Sequence, residues 1–151
     1  MVDEWRVEKR ERNGDAYFVV KWSPLRKADR YEIVKKSPAV SGLIELYYKD
    51  DHGKYHLFHI AKAWYGGIRS SLRTLSDPEL EKQEFRKGLL LKHEGEIYFR
   101  YSTTDSAADM DDIVYFFNEG YAKGLTGARH SGRYGKIFLR EESYDKVYTI
   151  E

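Results

Sequence analysis

Residues 41–61 read Ser41-Gly42-Leu43-Ile44-Glu45-Leu46-Tyr47-Tyr48-Lys49-Asp50-Asp51-His52-Gly53-Lys54-Tyr55-His56-Leu57-Phe58-His59-Ile60-Ala61. Leu43, Glu45 and Tyr47 alternate with Ile44, Leu46 and Tyr48, and residues 55–61 form a second strand-like run. Period-two runs rich in apolar and aromatic residues are the pattern of strands. The six residues between them carry Asp, His and Gly, the chemistry of a hairpin loop. A β-hairpin is therefore the strongest local structure in the chain.

Downstream, Gly66-Gly67 is followed by Ile68, Leu72 and Leu75, an amphipathic helix stripe. Ser76-Asp77-Pro78-Glu79 has the composition of a helix start, so a second helix is expected from there to about Lys87 or Leu91. Residues 97–102 read as a third strand, and a third helix from Asp105 or Ser106 carries Ala107, Met110, Ile113, Val114 and Phe117 on one face. Gly120 and Gly124 end it. Upstream, residues 17–22 read as a strand after the turn signal Asn13-Gly14-Asp15, while 27–36 are too mixed to assign. Residues 136–140 and 146–150 resemble two short closing strands. The expected fold class is α+β: a small antiparallel or mixed sheet whose hairpin is followed by helix, helix, strand and helix, with extra strands at both ends. Three prolines and no repeated or low-complexity segment predict one domain over residues 1–151.

Composition narrows the chemistry. The chain has 151 residues, 41% hydrophobic and 34% charged, enough for a core of its own beneath a charged surface. With no cysteine, a disulfide scaffold, a thiolate metal site and a cysteine nucleophile are excluded. The longest uninterrupted apolar run is five residues, as at 113–117, so no membrane-spanning helix is expected. Met1-Val2-Asp3-Glu4-Trp5-Arg6 is acidic where a signal peptide is basic, which with the missing cysteines predicts a cytoplasmic protein. No phosphate-binding loop, dinucleotide fingerprint, nucleophile elbow or HExxH spacing occurs.

The formal net charge of +1 is unevenly spread: residues 77–120 carry five basic and eleven acidic residues. By contrast Lys123, Arg129, Arg133, Lys136 and Arg140 follow one another with no acidic residue between them, spaced by glycines and Tyr134. Such a stretch can hold cations against phosphates, and it can equally be a solvated loop. Thirteen tyrosines suit stacking on bases and suit sheet packing as well.

The order hairpin, helix, helix, strand, helix over residues 40–118 resembles the GIY-YIG nuclease superfamily. Val40-Ser41-Gly42-Leu43-Ile44-Glu45-Leu46-Tyr47 is similar to the first motif, Phe58-His59-Ile60-Ala61-Lys62-Ala63 to the second, and Ala107-Ala108-Asp109-Met110-Asp111 to the third. Arg69 stands eight residues beyond Ala61, the spacing of the family's catalytic arginine. The resemblance implies a small sheet flanked by helices and cleavage of DNA with one divalent metal. Ile44 and His59 occupy the places of the two motif tyrosines, Ala61 that of a glycine, and Asp111 that of the metal-binding glutamate. What it implies here is a nucleic-acid-binding protein, a weak or inactive endonuclease. His59 would serve as general base, Arg69 would stabilise the phosphate, and Asp111 would hold Mg²⁺ or Mn²⁺ if active. The alternative is a protein-interaction or assembly module.

Each residue has two chemical readings. Arg69 and Arg73, four apart on one helical face, can clamp a phosphate or pair with Glu79 or Glu81. At ~100° per residue Asp111 borders the core and Asp112 faces water, so Asp111 suits either a metal or the positive end of its helix dipole. His59 can move a proton near neutrality or be a partly buried structural histidine. Strand alternation puts His56 and His59 on opposite faces, which makes a three-histidine metal site with His52 improbable. Only one of Tyr47 and Tyr48 can point at a cleft. If the site exists, His59, Arg69 and Asp111 converge on one pocket.

Overall fold

The computed structural model describes residues 4–120 and 130–144. Its centre is the expected hairpin, and the turn explains itself. Asp50 Oδ1 accepts from the backbone N–H groups of His52 and Lys54 at 2.8 and 2.9 Å, and Gly53 N–H donates to the Asp50 carbonyl.

In chain order the elements are β1 (Val7–Arg12), β2 (Asp15–Trp22), β3 (Arg26–Lys27), α1 (Arg30–Lys36), β4 (Gly42–Lys49) and β5 (Tyr55–Ala63). There follow α2 (Gly67–Leu75), α3 (Glu84–Lys92), β6 (Ile97–Thr103), α4 (Ala107–Glu119) and β7 (Ile137–Ser143). They make the mixed α+β architecture expected, in two sheets. One has four strands in the order β3-β6-β4-β5, all antiparallel; the other has three in the order β1-β2-β7, with β7 parallel to β2. The expected closing strand at 146–150 lies outside the described residues.

The four-stranded sheet is the middle layer. One face carries Ile44, Leu46, Phe58 and Phe99, packed against Ile33 of α1, Ile68 and Leu72 of α2 and Leu90 of α3. The other carries Leu43 and Ile60, which share a core with Phe18, Val20 and Trp22 of β2 and with Met110, Ile113 and Phe117 of α4. Because β4 is covered on both sides, its first six residues are all buried and its polarity does not alternate. The sheets are tied by Ser23 N–H to the Tyr101 carbonyl at 2.8 Å and by Thr103 N–H to the Trp5 carbonyl at 2.8 Å.

Several expectations need correction. The second helix does not start at Ser76-Asp77: the Asp77 carbonyl accepts from Leu80 and Glu81 in a single turn, and α3 starts only after Gln83, whose side chain caps Arg86 N–H at 2.7 Å. Glu81, pulled into the interior against Arg86, interrupts what would have been one helix. Three elements lie outside the expectations, the two-residue β3 among them. Strand β1 is mostly charged and exposed, and it is defined by its two-residue turn, Asn13-Gly14, both with positive φ as a tight hairpin requires. Helix α1 buries only Ile33, so it shows no stripe; Asp29 starts it by accepting from Glu32 N–H.

A β-bulge in the hairpin matters most for the site. Leu46 pairs with His59 but Tyr47 pairs with Leu57, so the register shifts by one residue. His56 and His59 therefore share the helix-covered face instead of lying on opposite ones: His56 stacks on Tyr48 beside Phe58, and His59 is near Glu81 and Arg86.

Candidate functional site

The three residues of the expected catalytic centre do not converge. His59 lies on the face covered by α2 and α3, where burial and then the Arg86 charge lower its pKa to about 4, against a slight opposing pull from Glu81. It is neutral at pH 7, and its buried Nδ1 has no hydrogen-bond partner among the described residues. Arg69 is on α2 at the same side of the sheet, but its guanidinium is spent on the chain itself: Nε and Nη2 donate to the Ser37 carbonyl at 3.0 and 2.6 Å. Asp111 sits across the sheet on α4, where Lys62 Nζ donates to Oδ1 at 2.7 Å. The middle sheet separates Asp111 from the other two.

The third-motif helix also presents different aspartates from those expected. Asp111 is 40% exposed at its side chain, whereas Asp112, expected to face water, is 0% exposed. The reason is tertiary: Ser131 and Arg133 lie over that flank. Ser131 donates to Asp112 through both its N–H and its hydroxyl, and Arg133 Nη2 donates to Asp112 and Asp109 at 2.8 Å each. Lys9 adds a bond to Asp109 at 3.1 Å, and these carboxylates raise the Arg133 pKa against its desolvation. Arg133 is thus a structural clamp and not a free phosphate ligand. Asp111 is already neutralised by Lys62. Among the described residues no group of three or more His, Asp or Glu side chains is arranged for a metal. The donor set does not fit a divalent ion.

Of the remaining candidates, Arg73 lines a cavity of about 350 Å³ between α1, α2 and α3, with Lys27, Arg30, Asp29 and Asp77 at its rim. Lys123 and Arg129 lie outside the described residues. Lys136 is exposed just before β7, its N–H bonded to Asp15 Oδ1. Neither hairpin tyrosine points at a catalytic cleft. Tyr48 is sandwiched between the rings of His56 and His93, at 4.7 and 4.0 Å between centroids. Tyr47 is buried and donates to Glu45 Oε1 at 2.6 Å.

That last bond belongs to a buried polar network not anticipated from sequence. Glu45 is 0% exposed, and Arg100, its cross-strand partner on β6, donates Nε to Oε1 at 2.6 Å. The guanidinium also reaches Ser143 Oγ at 2.9 Å and lies over the ring of Trp22, whose indole N–H donates to Glu141 at 2.7 Å. A charge in the middle of an apolar strand was the available signal, since a buried carboxylate needs a cation. The partner was invisible because Arg100 is distant in the chain.

The three-stranded sheet has one covered and one open face. Ala16, Phe18, Val20 and Trp22 face the core, so Tyr17, Val19 and Lys21 point outward. Register adds their neighbours: Arg10 and Phe138 flank Tyr17, Glu8 and Arg140 flank Val19, and Arg12 is opposite Asp15. Tyr17 and Phe138 stack with centroids 4.8 Å apart and planes 10° apart, yet remain 39% and 44% exposed. These residues line an open trough of about 780 Å³. Glu8 pairs with Arg6 and Lys21, and Arg140 with Glu142. Arg10, Arg12 and Lys136 have no ion-pair partner among the described residues.

Residues 6–151 match the profile of a protein family described as "Uncharacterised protein". The chain belongs to that family. No curated protein and no solved structure matches the family member described here.

In this family member the outer sheet face brings together cations without carboxylate partners and exposed π-surfaces. It offers phosphate contacts and stacking. No described helix is long and apolar enough to cross a membrane.

Proposed function

We propose that the protein is a nucleic-acid-binding domain that engages the phosphate backbone through the outer face of β1-β2-β7, with no cleavage chemistry of its own. One observation carries this reading: Arg10 and Arg12 are exposed at one sheet face with no ion-pair partner among the described residues, and Arg140 stands beside them. Cations kept free of carboxylates remain available to displace counterions from phosphates. The GIY-YIG resemblance enters only as the order of elements, because Arg69 is bonded to Ser37, Asp111 to Lys62, and His59 is buried across the middle sheet from Asp111. A cytoplasmic location, proposed from the absence of cysteine, would put nucleic acid within reach.

The test is the salt dependence of binding to labelled oligonucleotides. Single substitutions Arg10→Ala, Arg12→Ala and Arg140→Ala should each lower the slope of log K against log salt by about one. Arg133→Lys should leave that slope unchanged, because Arg133 holds Asp109 and Asp112. The same preparation, given Mg²⁺ or Mn²⁺ with branched and linear DNA, should not cut it. Absence of binding at low salt, or slopes indifferent to all three substitutions, would refute the reading. Cleavage abolished by Arg69→Ala and Asp111→Ala would restore the enzyme.

A further inference from the structure

The open face carries more than charge. Two aromatic rings held in parallel contact on neighbouring strands form a rigid apolar plane edge, and aromatic surface of this size is normally withdrawn from water unless something else covers it. Tyr17 is on the central strand and Phe138 on β7, which is at one side of its sheet, so the stack runs from the centre of the sheet towards that side. Cations bracket it. Along β7, Arg140 is two residues beyond Phe138, roughly 7 Å away at the rise of a strand. Arg10 is the cross-strand neighbour of Tyr17, with Arg12 two residues further along β1. A ring pair flanked on both sides by cations matches the alternation of base and phosphate along a nucleic-acid strand.

From this arrangement we infer that the ligand is single-stranded, with an unpaired base stacked on the Tyr17–Phe138 pair while Arg10, Arg12 and Arg140 contact the phosphates to either side. The single-strand preference rests on the nucleic-acid reading above and adds the ligand's state to it. Base stacking on an aromatic side chain is tolerant of sequence, because every base has a π-face. A duplex keeps its bases paired and stacked inside, so it can meet the cations but not the rings. The order of affinities follows: single strand above duplex, with little preference among bases.

The experiment compares fluorescein-labelled oligo-dT of 12 nucleotides with a duplex of the same length by anisotropy, at one low salt concentration and across a salt series. Wild type should favour the single strand by at least tenfold. Tyr17→Leu combined with Phe138→Leu keeps apolar bulk and removes both rings, and it should weaken single-strand binding by about 10- to 100-fold, the loss of one stacked base. Duplex binding and the salt slope should not move, and Tyr17→Phe should bind as wild type. A wild-type measurement covers the case of a damaged fold: photocrosslinking of 5-iodouracil-substituted single strand, mapped by mass spectrometry, should label the peptide holding Tyr17 or Phe138. Equal affinity for single strand and duplex, a ring-free variant that binds like wild type, or crosslinks only elsewhere would overturn the stacked-base inference while leaving the basic face intact. No binding of either ligand at low salt would overturn the nucleic-acid reading itself.

Discussion

Replacing Arg100 by Met removes the cation from a buried carboxylate and leaves Glu45 in the layer between the two sheets. Glu45 is 0% exposed, and the hydrogen bond it loses is 2.6 Å long, so water cannot take over without opening the sheet packing. Breaking a buried pair from one side costs about 3–5 kcal/mol, a large part of the ~5–15 kcal/mol that holds a domain together. In a chain of this size that is a fall of roughly 10 °C in Tm. Arg100 also anchors Ser143 at the end of β7 and lies over Trp22, so the loss should appear in tryptophan fluorescence as well as in secondary structure. The double variant Glu45→Leu with Arg100→Met removes both charges and should be destabilised much less, by under about 2 kcal/mol, despite freeing the Tyr47 hydroxyl. Urea unfolding of wild type, both singles and the double at pH 7 gives the coupling directly. A single-variant loss below about 1 kcal/mol, or a double variant as unstable as the single, would refute the claim that this ion pair is buried and coupled.

Two further outcomes follow from the geometry. His59, lowered from 6.5 to about 4, is protonated in the unfolded chain before the folded one as pH falls. Its stabilising contribution is whole above pH 6.5 and is lost on acidification towards pH 4, on the order of 2 kcal/mol; His59→Leu should remove that part of the acid sensitivity, and identical pH profiles for variant and wild type would count against burial at this site. Gly42→Ala would place a Cβ 2.3 Å from the Ser102 carbonyl oxygen and 2.8 Å from Ile68 Cδ1, and in Gly67→Ala it would lie 2.2 Å from the Ala39 carbonyl oxygen at a φ of +80°. Each should cost about 2–3 kcal/mol in urea unfolding, and a neutral result at either would contradict the packing of α2 against β4 and the preceding loop.

The elements with a local cause were legible in the residues. The 41–61 hairpin, the α2 stripe, β6, α4 with its Ser106 cap, and the alternation that separates Leu43, Glu45 and Tyr47 from Ile44, Leu46 and Tyr48 follow from neighbours a few positions apart, where side-chain periodicity and turn chemistry act. Contacts between distant segments decided the rest. The bulge opposite Leu46 put His56 and His59 on one face, because a one-residue shift reverses strand alternation beyond it. Ser131 and Arg133 cover Asp112 and leave Asp111 partly exposed; a helical wheel knows only its own axis and not what will cover it. Strand β7 crossed to pair in parallel with β2, which set Phe138 against Tyr17, a juxtaposition of residues 121 positions apart. Residue type supplied the rings and the cations; only pairing over that distance decided that they share a face, since register is settled by the burial of both inner faces together and not by either strand alone.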